Sequence, residues 1–165
     1  MRCMLFIVPV AMVMMACHSK PPAKSSGSTS APKKTSTYSL SNLEVDIVTE
    51  VNKYRKSIGL PALESSSVVA TEAAVHSQRM ASGQTPFGHE GFSARLSRIN
   101  SRLGETSASG ENVAYGKMSA HDVVQFWLKS APHKKNIEGK YNLTGIGISR
   151  DSKGNVYYTQ IFILK

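Results

Sequence analysis

Apolar side chains recur at Leu43, Ile47, Val51, Tyr54 and Ile58, spacings of four, four, three and four that gather them on one face of a helix. Ser41 and Glu44 stand in capping-box spacing at its start, and Gly59 followed by Pro61 marks its stop. A second stripe of Val69, Ala73, His76 and Met80 predicts a helix over residues 66–82, stopped by Gly83, with His76 as a core histidine. Residues 92–100 read as a short helix with Phe92, Leu96 and Ile99 inward, and 101–110 as a Ser- and Gly-rich loop. A further helix starts at Ser119 with Asp122 in capping position. It carries Val123, Val124, Phe126, Trp127 and Leu128 so densely that burial on most sides is expected, and it should end near Pro132. After Tyr141 the period changes to two: 144–149 and 156–164 form a hairpin about a turn at 151–155, with 112–115 as a pairing strand. The pattern is that of one α+β domain over 41–165, helices beside a small antiparallel sheet, with no internal repeat.

The first forty residues follow a different pattern. Arg2 precedes a charge-free run from Cys3 to Ala16, the arrangement of a signal peptide over 1–16. A membrane-spanning helix needs roughly 20 apolar residues, and Pro9 weakens this run further. Ala16-Cys17 followed by an abrupt polar stretch resembles the lipobox of bacterial lipoproteins, with Met14 in a place where Leu is more usual. Lipidation of Cys17 is the expectation; a plain secretory cleavage leaving a free thiol is the alternative. Residues 17–40, nearly all Ser, Thr, Pro and Lys, cannot bury enough apolar surface to fold and read as a disordered tether.

Cysteine count and charge narrow the picture. Cys3 leaves with the signal and Cys17 is acylated, so no disulfide remains and the domain must hold itself by core burial. The formal charge is +9, one less without Arg2, which suits anionic lipid headgroups or wall polymers. Nucleic acid fits the charge but neither the address nor any recognition motif. The expected location is extracytoplasmic, on a bacterial cell envelope.

Three segments carry ionisable residues that periodicity does not explain: Phe87-Gly88-His89, Gly110-Glu111-Asn112-Val113-Ala114, and Ser130-Ala131-Pro132-His133-Lys134-Lys135-Asn136-Ile137. Gly145-Ile146-Gly147 and Tyr158-Thr159-Gln160-Ile161-Phe162 follow them. In this order they resemble the CAP superfamily, which contains cysteine-rich secretory proteins, antigen 5 and plant pathogenesis-related proteins, and in particular its short bacterial branch. Val51-Asn52, Arg55, Leu60-Pro61-Ala62-Leu63, His76-Ser77, Met80, Arg95 and Trp127 support the match, which runs from about Leu43 to Phe162. The resemblance implies an α-β-α sandwich with a cleft lined by two histidines and two acids. His89, Glu111 and His133 take three of those places; Ser130 stands where animal and plant members carry the second acid.

Two imidazoles and a carboxylate admit three chemistries. His89 and His133 with Glu111 can hold zinc or another divalent metal with an open position for water. Glu111 can orient one histidine as a general base. The three can instead shape a polar cleft for a ligand. No His-x-x-x-His pair supports the metal by local spacing, and no usable cysteine supplies a nucleophile; Ser130 lies beside His133. Gln160 is a further hydrogen-bonding candidate at the cleft, although a solvent-facing strand glutamine is the simpler account. The leading expectation is a binding module for a small ligand, lipid or metal ion. A peptidase or wall-acting hydrolase using the same residues is the alternative, and wall attachment through the basic surface a third.

Overall fold

The computed structural model describes residues 39–165; the signal peptide, Cys17 and all but the last two residues of the tether lie outside the described residues. The elements run α1 (Leu40–Ser57), β1 (Glu64–Ser65), α2 (Ser67–Ala81), α3 (Phe92–Leu103), β2 (Ala108–Tyr115), α4 (Ala120–Leu128), α5 (Ala131–Ile137), β3 (Leu143–Arg150) and β4 (Val156–Leu164). None of the helices among the described residues is long and apolar enough to cross a membrane.

Helix α1 buries Leu43, Ile47 and Val51 as the periodicity requires, but its cap is Ser39, whose hydroxyl accepts from Asn42 N at 3.2 Å. Ser41 therefore lies inside the helix, and Glu44 instead accepts from Ile148 N on β3 at 3.1 Å. Ile58 falls just beyond the last turn and is 44% exposed, so it does not join the buried stripe. The fourth buried residue is Arg55, which donates to the carbonyls of Pro61, Ile137, Gly139 and Tyr141. One guanidinium thus ties the end of α1 to the chain leaving α5.

Helix α2 buries Val69, Ala73, His76 and Met80 as expected, together with Glu72 and Ser77. Helix α3 runs three residues beyond its expected end, to Leu103, and stops at Gly104 with φ 81°. The expected loop over 101–110 is thus shortened to 104–107, with 101–103 in the end of α3 and 108–110 in β2, which pairs with β4. Ser119 and Asp122 form a full capping box at α4. The expected end near Pro132 is corrected: α4 stops at Leu128 and a new helix starts, with Pro132 in its first turn, where a missing N–H costs no bond. Val123, Val124 and Trp127 are buried, whereas Phe126 is 49% exposed.

The sheet has order β1-β3-β4-β2, with β3 and β2 both antiparallel to β4 and the two-residue β1 parallel to β3. It is therefore mixed rather than wholly antiparallel. One core joins α1, α4 and α5 to Ile146, Ile148, Tyr158 and Phe162; the other joins Val69, Ala73 and Ile99 to Ile161 and Ile163. The result is the expected α-β-α sandwich. Gly145 and Gly147 let α2 lie directly on β3: a Cβ at either would run into the helix backbone at Ala70 or Ala74.

Candidate functional site

The site stands at β2, an edge strand reached by the α2–α3 loop on one side and α5 on the other. Alternation along β2 turns Glu111 toward α3 and Asn112 toward α5. Gly110 has no side chain because α5 packs there; a Cβ would stand 2.9 Å from Asn136 Oδ1 and Tyr141 Oη. Asn136 Nδ2 donates to Glu111 O at 3.0 Å and to Asn112 Oδ1 at 2.9 Å, and Asn112 Nδ2 donates to His133 O at 3.1 Å. These amide bonds fix His133 relative to Glu111.

Glu111 is almost wholly buried, and both of its carboxylate oxygens are bonded within the fold, Oε1 twice and Oε2 once. Arg95 grips it with two parallel bonds, Nε to Oε2 at 3.0 Å and Nη2 to Oε1 at 2.8 Å. His89 Nδ1 meets Oε1 at 2.9 Å, while the His89 side chain is 52% exposed. A carboxylate accepts only, so His89 donates from Nδ1, and in the neutral ring this leaves the lone pair on Nε2.

Behind Arg95 the network continues inward. Arg95 Nη1 donates to Glu90 O at 2.8 Å and to His76 Nδ1 at 3.1 Å. His76 therefore carries its proton on Nε2 and donates to Gly88 O at 2.8 Å. Burial pushes its pKa down, so it stays neutral as this pattern requires. The core histidine of the sequence reading is buried as expected, and it also clamps the backbone one residue before His89.

His133, in the first turn of α5, is half-buried with its ring 6.3 Å from that of Phe126. Burial lowers its pKa, and the charge of His89 lowers it further. Its Nδ1 is buried without a hydrogen-bond partner. Ser130 is the N-cap residue of α5 and its side chain makes no capping bond.

Glu111 does not fit as a third metal ligand, because Arg95 and His89 already hold both of its oxygens. Among the described residues no three His, Cys, Asp or Glu side chains converge to hold a metal ion. Nor does any serine, threonine or cysteine among the described residues bond to His89 or His133, so no activated nucleophile is assembled there.

Gln160 is corrected on both counts. It is fully buried, because β4 is an inner strand covered on both faces, and it shares the face of Tyr158 and Phe162. Its Nε2 donates to Thr144 Oγ1 at 3.2 Å, a core contact rather than a cleft one. Arg95 is the functional residue that residue patterning passes over. Helical period puts Arg95, three after Phe92 and four before Ile99, on the inward face, and only the bonded acid on another element reveals its task.

The comparisons bear on this geometry as a whole. The family model for the cysteine-rich secretory protein family, CAP, matches residues 48–162. The uncharacterized protein YkwD of Bacillus subtilis is 32% identical over 152 residues, covering 89% of this chain and 56% of its own length. The uncharacterized membrane protein YlbC of the same organism is 32% identical over 125 residues, 73% of this chain and 34% of its own. This chain thus spans about half or less of the curated relatives it matches. A solved extracellular protein of Bacillus anthracis containing an SCP domain superposes with TM-score 0.65 at 27% identity, over 76% of this chain and 41% of that one. The matched span holds most of both cores together with His89, Glu111 and His133, and the chain belongs to the cysteine-rich secretory protein (CAP) family, in its bacterial branch.

Proposed function

We propose that this CAP domain is a binding module of the cell envelope, in which His89 and His133 receive a hydrogen-bonding ligand at the edge of β2. The observation that carries the reading is the double occupancy of Glu111. With both oxygens bonded inside the fold, the acid positions His89 and leaves its Nε2 as an acceptor at a half-exposed ring. The half-buried ring of His133, whose charged form His89 disfavours, supplies the second imidazole. A ligand that donates to one imidazole and engages the other satisfies both, whether it is a small polar molecule, a lipid headgroup or a divalent cation held by two imidazoles and solvent.

The address is extracytoplasmic, with Cys17 lipidated and the polar tether setting the reach. The extracellular SCP-domain protein and the membrane protein among its relatives support that placement. Anionic lipids, wall polymers and envelope proteins are then the partners within reach, and the basic charge favours the anionic ones. Wall attachment through that charge alone is separable, since it would fall steeply with salt and ignore the histidines.

One feature favours a hydrolytic alternative: an oriented imidazole with a bare Nε2 is also the form of a general base for water. Side-by-side assays of the full-length protein distinguish the two. Envelope lipids, muropeptides and zinc are each offered to wild type, His89→Ala and His133→Ala, with binding and product measured together. The binding module predicts capture weakened about tenfold or more in both variants, as expected for losing a well-placed hydrogen bond, with no product from any of the three. Product that accumulates with wild type and disappears in His89→Ala would establish the hydrolase instead.

A further inference from the structure

On the other side of Arg95 from Glu111 lies a second concavity, of about 170 Å³, between the end of α2, the α2–α3 loop and the first turn of α3. Its lining includes His76, Arg79, Thr85, Gly91, Arg95 and Arg98, while His89, Glu111 and His133 do not face it. We propose that this cleft binds a phosphate group, as free phosphate or as a terminal monoester, at a site separate from the two histidines.

The donors fall into two sets. Arg95 and His76 form the inner wall, but their N–H groups are committed to Glu111, the Glu90 carbonyl and Gly88, so they contribute field rather than bonds. The uncommitted donors are elsewhere. Arg79 makes no ion pair among the described residues. Arg98 holds Glu72 through Nε and Nη2, which leaves Nη1 free. Thr85 Oγ1 is buried with no hydrogen-bond partner at all. A buried hydroxyl is ordinarily satisfied, and an orphan lining a cleft with unspent guanidinium groups marks a place for an acceptor.

The first turn of α3 adds to the same point. Gly91 is its N-cap and supplies no side-chain bond, and Ala94 also lines the cleft, so the positive end of a twelve-residue helix faces the space. Phosphate matches this set because it accepts from several directions at once and fits the volume with room for one small substituent. Glu90 is the opposing charge at the mouth. It sets the affinity at a modest level and makes a sign-specific prediction, since removing its charge must strengthen anion binding.

The test is an amide NMR titration of the full-length protein with inorganic phosphate at constant ionic strength, with glycerol 3-phosphate in a parallel arm. The expected result is saturable shifts centred on the amides of Thr85, Gly91 and Ala94. Arg79→Gln, an exposed change, should weaken binding about fivefold, as for loss of one charge-assisted bond, and Glu90→Gln should tighten it about twofold. Thr85→Val should weaken phosphate binding yet raise the melting temperature of the ligand-free protein, because it removes the orphan hydroxyl. Tighter binding of glycerol 3-phosphate identifies an organic monoester; equal or weaker binding identifies the free ion. Shifts that rise linearly with phosphate, that centre on Lys134 and Lys135, or that are unchanged in Arg79→Gln overturn the proposal.

Discussion

A guanidinium with all its donors spent is a structural device, and Arg95 is one: it fixes Glu111 with two bonds, the α2–α3 loop through carbonyls, and the neutral form of His76. Lysine cannot reproduce the paired grip, so Arg95→Lys should destabilise the fold by about 3 kcal/mol in urea unfolding, whereas the exposed His89→Ala should cost less than about 1 kcal/mol. The histidines give a pH signature. His76 and His133 have folded-state pKa values held below the ordinary 6.5, chiefly by burial. The unfolded chain therefore binds protons that the folded one refuses, and stability is full above about 6.5 and declines as pH falls toward the folded values. Urea midpoints at pH 7.5 and 5.5 should differ, and His133→Gln should narrow the difference. His89, Glu111 and His133 stand out as candidates in the sequence because no helical or strand period accounts for them, and the structure bonds the first to the second. Gln160 was misread because one residue cannot announce whether its strand lies at an edge or in the middle of a sheet.

Elements were legible where local chemistry and period agreed. The capping box of Ser119 and Asp122, the hairpin turn at Asp151, the stripe of α2 and, as far as Val51, that of α1 formed as the residues require. The errors lie where tertiary structure decides. Proline reads equally as the end of one helix or the first turn of the next, and at Pro132 the contacts of α5 with β2 select the second. Two residues are too few for any period, so β1 had no sequence signal and exists by pairing with β3. Gly145 and Gly147 carry a stronger requirement than their place in the motif suggested. Gly147→Ala should force α2 away from β3 and cost about 3 kcal/mol, seen as a lowered melting temperature with the far-ultraviolet spectrum retained.

The described residues, 39–165, contain no cysteine and form a sandwich with two cores on the two faces of one sheet. If Cys17 is the anchor, Cys17→Ser should move the protein from the membrane fraction to the soluble extracytoplasmic one, without altering the melting temperature of the domain. At this scale the family pattern made the architecture readable, because its motif residues sit at the contacts that organise the sandwich: Arg55 at the end of α1, Trp127 donating to Val113 O, and the glycines under α2. The second concavity was not readable, since Arg79, Thr85 and Arg98 converge only in the folded chain. Glu111 serves as a positioning acid that keeps His89 Nε2 free as an acceptor. Long-range nitrogen–proton NMR of the His89 ring in the full-length protein at pH 7.5 tests it most directly. A protonated Nδ1 and a bare Nε2 that shifts when ligand binds is the expected result; a proton on Nε2, with Nδ1 bare, would overturn this role for Glu111.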